Sequence, residues 1–83
     1  MHVIVWDSGG SRAGWATFVH RVLAAVNMTA GGPRVRATRE GGRHPVGTIA
    51  AGERTWRLRP GQLLVIPDRL DPAGWHVGGP AGY

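Results

Sequence analysis

The sequence predicts a small two-layer α+β domain, one amphipathic helix packed on a mostly antiparallel β-sheet, with the order β-α-β-β-β-β. Three observations predict it. Trp15, Phe18, Val19, Val22, Leu23 and Val26 recur at helical spacing and form one apolar stripe. The segments 34–40 and 54–59 alternate between apolar and polar residues, as half-buried strands do. Leu63-Leu64-Val65-Ile66 is a short apolar run behind a Pro-Gly pair, the mark of a central strand.

The elements follow in order. His2 to Trp6 is β-rich and ends at Asp7-Ser8-Gly9-Gly10, so a strand leads into a turn. Ser11 is placed to cap the helix, because its hydroxyl can accept from an unpaired N–H of the first turn. The helix runs from about Arg12 to Asn27 or Met28 and stops at Gly31-Gly32-Pro33. In 34–40, Val35 and Ala37 share one face, and Arg34, Arg36 and Thr38 the other. Val46 to Ala51 is a strand weakened by Gly47, and Gly52-Glu53 is a tight turn. Trp56 and Leu58 then face one way, and Thr55, Arg57 and Arg59 the other. Pro60-Gly61 suits the centre of a type II turn, since Pro presets φ and Gly supplies a positive φ. The run 63–66 is expected to be covered on both faces. Residues 68–74 read as a loop and 75–77 as a last short strand. Residues 1–77 make the domain, and 78–83, rich in Gly and Pro, a C-terminal tail.

Composition narrows the possible functions. A chain of 83 residues buries only about two-thirds of its unfolded surface, so the core is thin. There is no cysteine, which excludes disulfides and thiolate metal sites as staples. The net charge is +5, and all ten basic residues are Arg. The span from Arg34 to Arg59 holds seven Arg and two Glu, so it carries the whole excess. No apolar stretch approaches the ~20 residues that cross a bilayer, and no leader signal is legible. The expectation is a cytoplasmic protein, or a virion component if it serves a bacteriophage, with no membrane partner.

Motifs that suggest chemistry have simpler readings. Asp7-Ser8-Gly9-Gly10 resembles the DSGG of trypsin-like proteases, but a chain this short cannot build their scaffold, and the turn reading suffices. His2, His20, His44 and His76 never share helical metal-ligand spacing. Asp68 and Asp71 flank Arg69 in a Pro-containing loop, where caps and turns are common. Gly9-Gly10 lacks the lysine and the spacing of a phosphate loop. No cofactor, metal or catalytic residue is expected. The phrase Arg59 to Pro67 resembles the closing strand of LysM glycan-binding modules over nine residues. Those modules run strand, helix, helix, strand, whereas the residues before this phrase read as strands.

The candidate partner-binding residues are Arg34, Arg36, Arg57, Arg59, Trp75 and Tyr83. Arg34 and Arg36 project to one face of their strand, and Arg57 and Arg59 to one face of theirs. If those strands are neighbours, four guanidinium groups line one surface and call for an anionic or acidic partner. Trp75 and Tyr83 stand among Gly and Pro residues with little sequence to cover them, and Trp and Arg are the usual interface anchors. The first functional expectation is a non-catalytic structural or assembly protein. It would be a small subunit of a larger homo- or hetero-oligomeric complex, such as a capsid, head–tail or tail component of a bacteriophage virion. The alternatives are a nucleic-acid-binding module using the Arg-bearing strands and a small inhibitor or regulator of a host enzyme.

Overall fold

The structure is a computed structural model that describes residues 1–27, 32–69 and 71–79. Its elements are β1 (His2–Val5), α1 (Arg12–Asn27), β2 (Val35–Glu40), β3 (Val46–Ala51), β4 (Arg54–Leu58), β5 (Leu63–Ile66), the 3-10 turn η1 (Pro72–Gly74) and β6 (His76–Gly78). The small α+β domain is therefore as expected, with one helix packed against antiparallel strands. The single sheet is instead two three-stranded sheets, ordered β1-β5-β6 and β2-β3-β4.

The split occurs at the Pro60-Gly61 turn. Gly61 has φ 92°, and the Gln62 N–H donates to the Arg59 carbonyl at 3.0 Å, as a type II turn requires. The turn then binds the end of β1 rather than continuing the meander. Gly61 N–H donates to the Trp6 carbonyl at 2.7 Å, and Trp6 N–H donates to the Gln62 carbonyl at 2.9 Å. From there β5 pairs antiparallel with β1, Ile4 opposite Leu64 and His2 opposite Ile66. In the other sheet, β3 lies between β2 and β4, with Ile49 facing Ala37 on one side and Trp56 on the other. Gly52 has φ 60°, and among the described residues no non-glycine residue has positive φ. Gly52-Glu53 thus has the sign pattern of a type II′ hairpin turn.

The helix starts as its sequence directs. Gly14 N–H donates to Ser11 Oγ at 3.0 Å, so Ser11 is the cap. Asp7 Oδ2 accepts from Gly9 N–H at 3.1 Å, and Gly10 N–H donates to the Asp7 carbonyl at 3.1 Å, so the Asp-Ser-Gly-Gly segment is a turn. Gly10 has φ 66°, and a Cβ there would stand 2.7 Å from Pro60 Cγ. Glycine is required at that crossing of the β1–α1 turn and the sheet-switching turn.

One core joins the three layers. Trp15, Phe18, Val22, Ala25 and Val26 are the buried helix residues. They meet Ile4, Trp6, Leu64 and Ile66 of the first sheet, and Ile49, Ala51 and Leu58 of the second. The helix stripe is rotated slightly from its expected position, with Ala25 buried and Leu23 exposed. Trp6 meets Trp15 edge-on at 4.7 Å, and Trp15 stacks on Phe18 at 5.2 Å. Such pairs add roughly 0.5–1.5 kcal/mol each beyond area burial.

Gly47 explains how the helix reaches the second sheet. The Trp15 ring occupies the place where a Gly47 side chain would stand, and a Cβ there would lie far inside van der Waals contact with the indole. A residue that weakens β3 on propensity is therefore the seat of the central aromatic. Gly47→Ala should overpack this contact at a cost of about 1–3 kcal/mol. In a domain this small that is a fall in Tm on the order of 10 °C, read by circular dichroism. Combining it with Trp15→Leu should give less than the sum of the two losses, because both act on one contact.

Candidate interaction surfaces

The parity of β2 and β4 places the arginines. Register carries Arg36 across Ala50 to Thr55 in one row, and Thr38 across Thr48 to Arg57 in the next. Arg36, Thr38, Thr48, Thr55 and Arg57 thus share the outer face of the β2-β3-β4 sheet. Arg34 continues the parity of β2 and is exposed. Arg34 and Arg36 line a shallow open cavity of about 460 Å³ with Pro33 and Gly52. The two Arg-bearing strands share a face without being neighbours, since β3 separates them. Arg59 lies beyond β4, half-buried in the turn, where its backbone N–H donates to Gln62 Oε1 at 2.8 Å.

Arg39 has the opposite parity and turns inward. Its Nη2 donates to the Gly10 carbonyl at 2.7 Å, which ties β2 to the β1–α1 turn. Its buried Nε has no partner among the described residues. One of the seven arginines in the basic span is thereby structural.

Trp75 is not an exposed anchor. It is 4% exposed and stacks on Trp56 at 5.1 Å. Trp56 Nε1 also donates to the Trp75 carbonyl at 3.3 Å. What covers it is remote in sequence, namely the side of β4, where β6 comes to rest. Asp71 orients the approach: its Oδ1 accepts from Ala73 N–H at 3.0 Å and caps η1, in a segment read as loop. The expected tail also begins later than residue 78. Gly78 pairs with Leu63 in β6, and the Gly79 carbonyl accepts from Gln62 Nε2 at 3.4 Å. Tyr83 lies outside the described residues.

The first sheet shows a surface that the sequence reading missed. Register puts Val3 and Val65 side by side, and Val5 beside Leu63, on the face away from the core. Val3 and Val5 are 52% and 49% exposed. The run Leu63–Ile66 is covered much as expected, with Leu64, Val65 and Ile66 buried and Leu63 half-buried. Leu64 and Ile66 enter the core, while Val65 belongs to the outer face and lies outside the core cluster. The missed signal was the alternation inside His2–Trp6, which puts Ile4 and Trp6 inward and leaves Val3 and Val5 outward.

Chemistry-bearing side chains are dispersed. Among the described residues no three His, Asp or Glu side chains gather to hold a metal ion. Asp68 has its carboxyl held below the usual range by the terminal ammonium of Met1, and both groups are solvent-exposed. No described helix is long and apolar enough to cross a membrane. The likeness to LysM stays local, because β4 runs into the turn and the described residues hold one α-helix. Comparison with known proteins finds no matching family model, no matching curated protein and no matching solved structure.

Trp75→Ala should cost about 3–5 kcal/mol, the penalty for removing a buried large aromatic. Thermal melting of the variant reads this directly. An unchanged melt would return Trp75 to the surface.

Proposed function

We propose that the chain is a non-catalytic assembly subunit that joins protein partners through the open edge of β1. The observation that carries this reading is the state of that edge. β1 is terminal in its sheet, and the bonding of Trp6 to Gln62 and Gly61 fixes which way its backbone faces. Trp6, Ile4 and His2 turn their backbone groups toward β5, so those of Val3 and Val5 point outward. Proteins blunt such edges with charge, proline or a covering element. β2 carries Arg36, Arg39 and Glu40, β4 carries Arg54 and Arg57, and β6 rests against β4. β1 has neither charge nor proline, and both of its outward side chains are valine.

The occupant this edge fits is a second copy of the chain. Antiparallel pairing about Ile4 sets Val3 of one protomer opposite Val5 of its partner, and both residues have outward backbone groups. The two-fold arrangement extends the first sheet to six strands and makes one valine-lined patch across the axis. The basic excess sits on the other sheet. Among the described residues the one arginine beside this edge is Arg21, which lines the clefts next to Val3 and Val5, with Asp7 in the cleft at Val5.

Val3→Lys with Val5→Lys adds charge at two exposed positions and leaves the core untouched. Wild-type protein should sediment as a dimer at high micromolar concentration, and the variant as a folded monomer with a similar melt. A wild-type chain that stays monomeric there would end this reading of β1.

A further inference from the structure

We propose that the outer face of the β2-β3-β4 sheet binds the phosphate backbone of double-stranded nucleic acid, with Arg34, Arg36 and Arg57 as the phosphate contacts. This surface does not involve β1, and the inference stands apart from the assembly reading.

The charge of this face is answered only in part from within, three arginines against the one carboxylate of Glu40. Arg34, Arg36 and Arg57 are exposed, and the ion pair seen among the described residues, between Met1 and Asp68, lies elsewhere. Glu40 shares the face across β3 from Arg57 and one row from it, opposite Val46, while Arg36 and Arg34 lie two and three rows from Glu40. Three guanidiniums against one carboxylate leave a net positive field that an anionic partner relieves.

The geometry suits a polyanion. Arg34 and Arg36 are two residues apart, about 7 Å along the strand. Arg36 and Arg57 lie on either side of β3 and one row apart, about 12 Å between backbones by strand spacing. Between them the face is low and polar, because Thr38, Thr48 and Thr55 are short and carry hydroxyl donors. Hydroxyls and guanidiniums are the side-chain groups that commonly meet phosphate oxygens. The concavity lined by Pro33, Arg34, Arg36 and Gly52 ends the face.

What the face lacks sets the kind of nucleic acid. Single-strand binders stack bases on aromatic rings. Here Trp56, between Thr55 and Arg57, turns inward and stacks on Trp75. The face also has no large apolar anchor of the sort that dominates protein interfaces, since its central strand offers Val46, Thr48 and Ala50. Guanidinium and hydroxyl donors without a stacking platform read backbone alone, so binding is independent of sequence.

The test is fluorescence anisotropy with a short labelled DNA duplex, its single strand and polyglutamate, on full-length protein. Three phosphate contacts predict a log–log salt slope of about −2.7, a loss of about 40-fold in affinity between 50 and 200 mM salt. Arg36→Gln with Arg57→Gln should reduce the slope to about −0.9. Arg12→Gln with Arg69→Gln removes the same net charge from other surfaces and should leave the slope near wild type. Thermal melts establish that all variants are folded. The proposal is overturned if folded wild-type protein does not bind the duplex at low salt, or if both double variants weaken it alike. Tighter binding to the single strand, or to polyglutamate, also overturns it, in favour of base stacking or an acidic protein partner.

Discussion

The seat of Trp15 on Gly47 is the contact on which the rest of the fold depends. The helix meets both sheets through its apolar stripe, and on the second sheet it adds an indole laid where β3 has no side chain. Trp6 approaches the same ring from the first sheet, and Phe18 stacks on it from the helix. One side chain thus touches all three layers. In a chain without disulfides this dense aromatic node takes the place of a covalent staple.

Because both sheets turn one face toward that node, each has one outer face left, and the two differ in chemistry. The first sheet presents valine, leucine and an unpaired backbone edge. The second presents arginine and threonine. The division follows from strand parity: Val3, Val5 and Val65 fall on the outward parity of one sheet, Arg36 and Arg57 on that of the other. Arg39 keeps the two regions in register by bonding the Gly10 carbonyl from the inward side of β2.

Local physics made much of this legible in the sequence. The Ser11 cap, the type II turn at Pro60-Gly61 and the helix stripe each depend on residues within a few positions of one another. The shared face of Arg34 and Arg36 was likewise readable, because alternation fixes parity within a strand, whereas Arg57 joins that face only through the order β2-β3-β4. What escaped reading depends on pairs distant along the chain. Gly47 looked like a weak strand residue because its use is to admit a side chain 32 positions earlier. Trp75 looked bare because its cover, Trp56, belongs to another sheet. The division into two sheets turns on hydrogen bonds from Trp6 to residues 61 and 62, which no local pattern announces. The open edge of β1 followed from a strand order that the sequence does not state.

The four tryptophans are arranged as two close pairs, Trp6 with Trp15 and Trp56 with Trp75. Indole transitions at 4.7 and 5.1 Å couple electronically, so neither pair absorbs as isolated chromophores. One pair spans the junction of helix and first sheet, the other the junction of β4 and β6. The protein therefore carries two intrinsic optical reporters at different seams of its architecture, and their circular dichroism records which seam opens first as the chain comes apart.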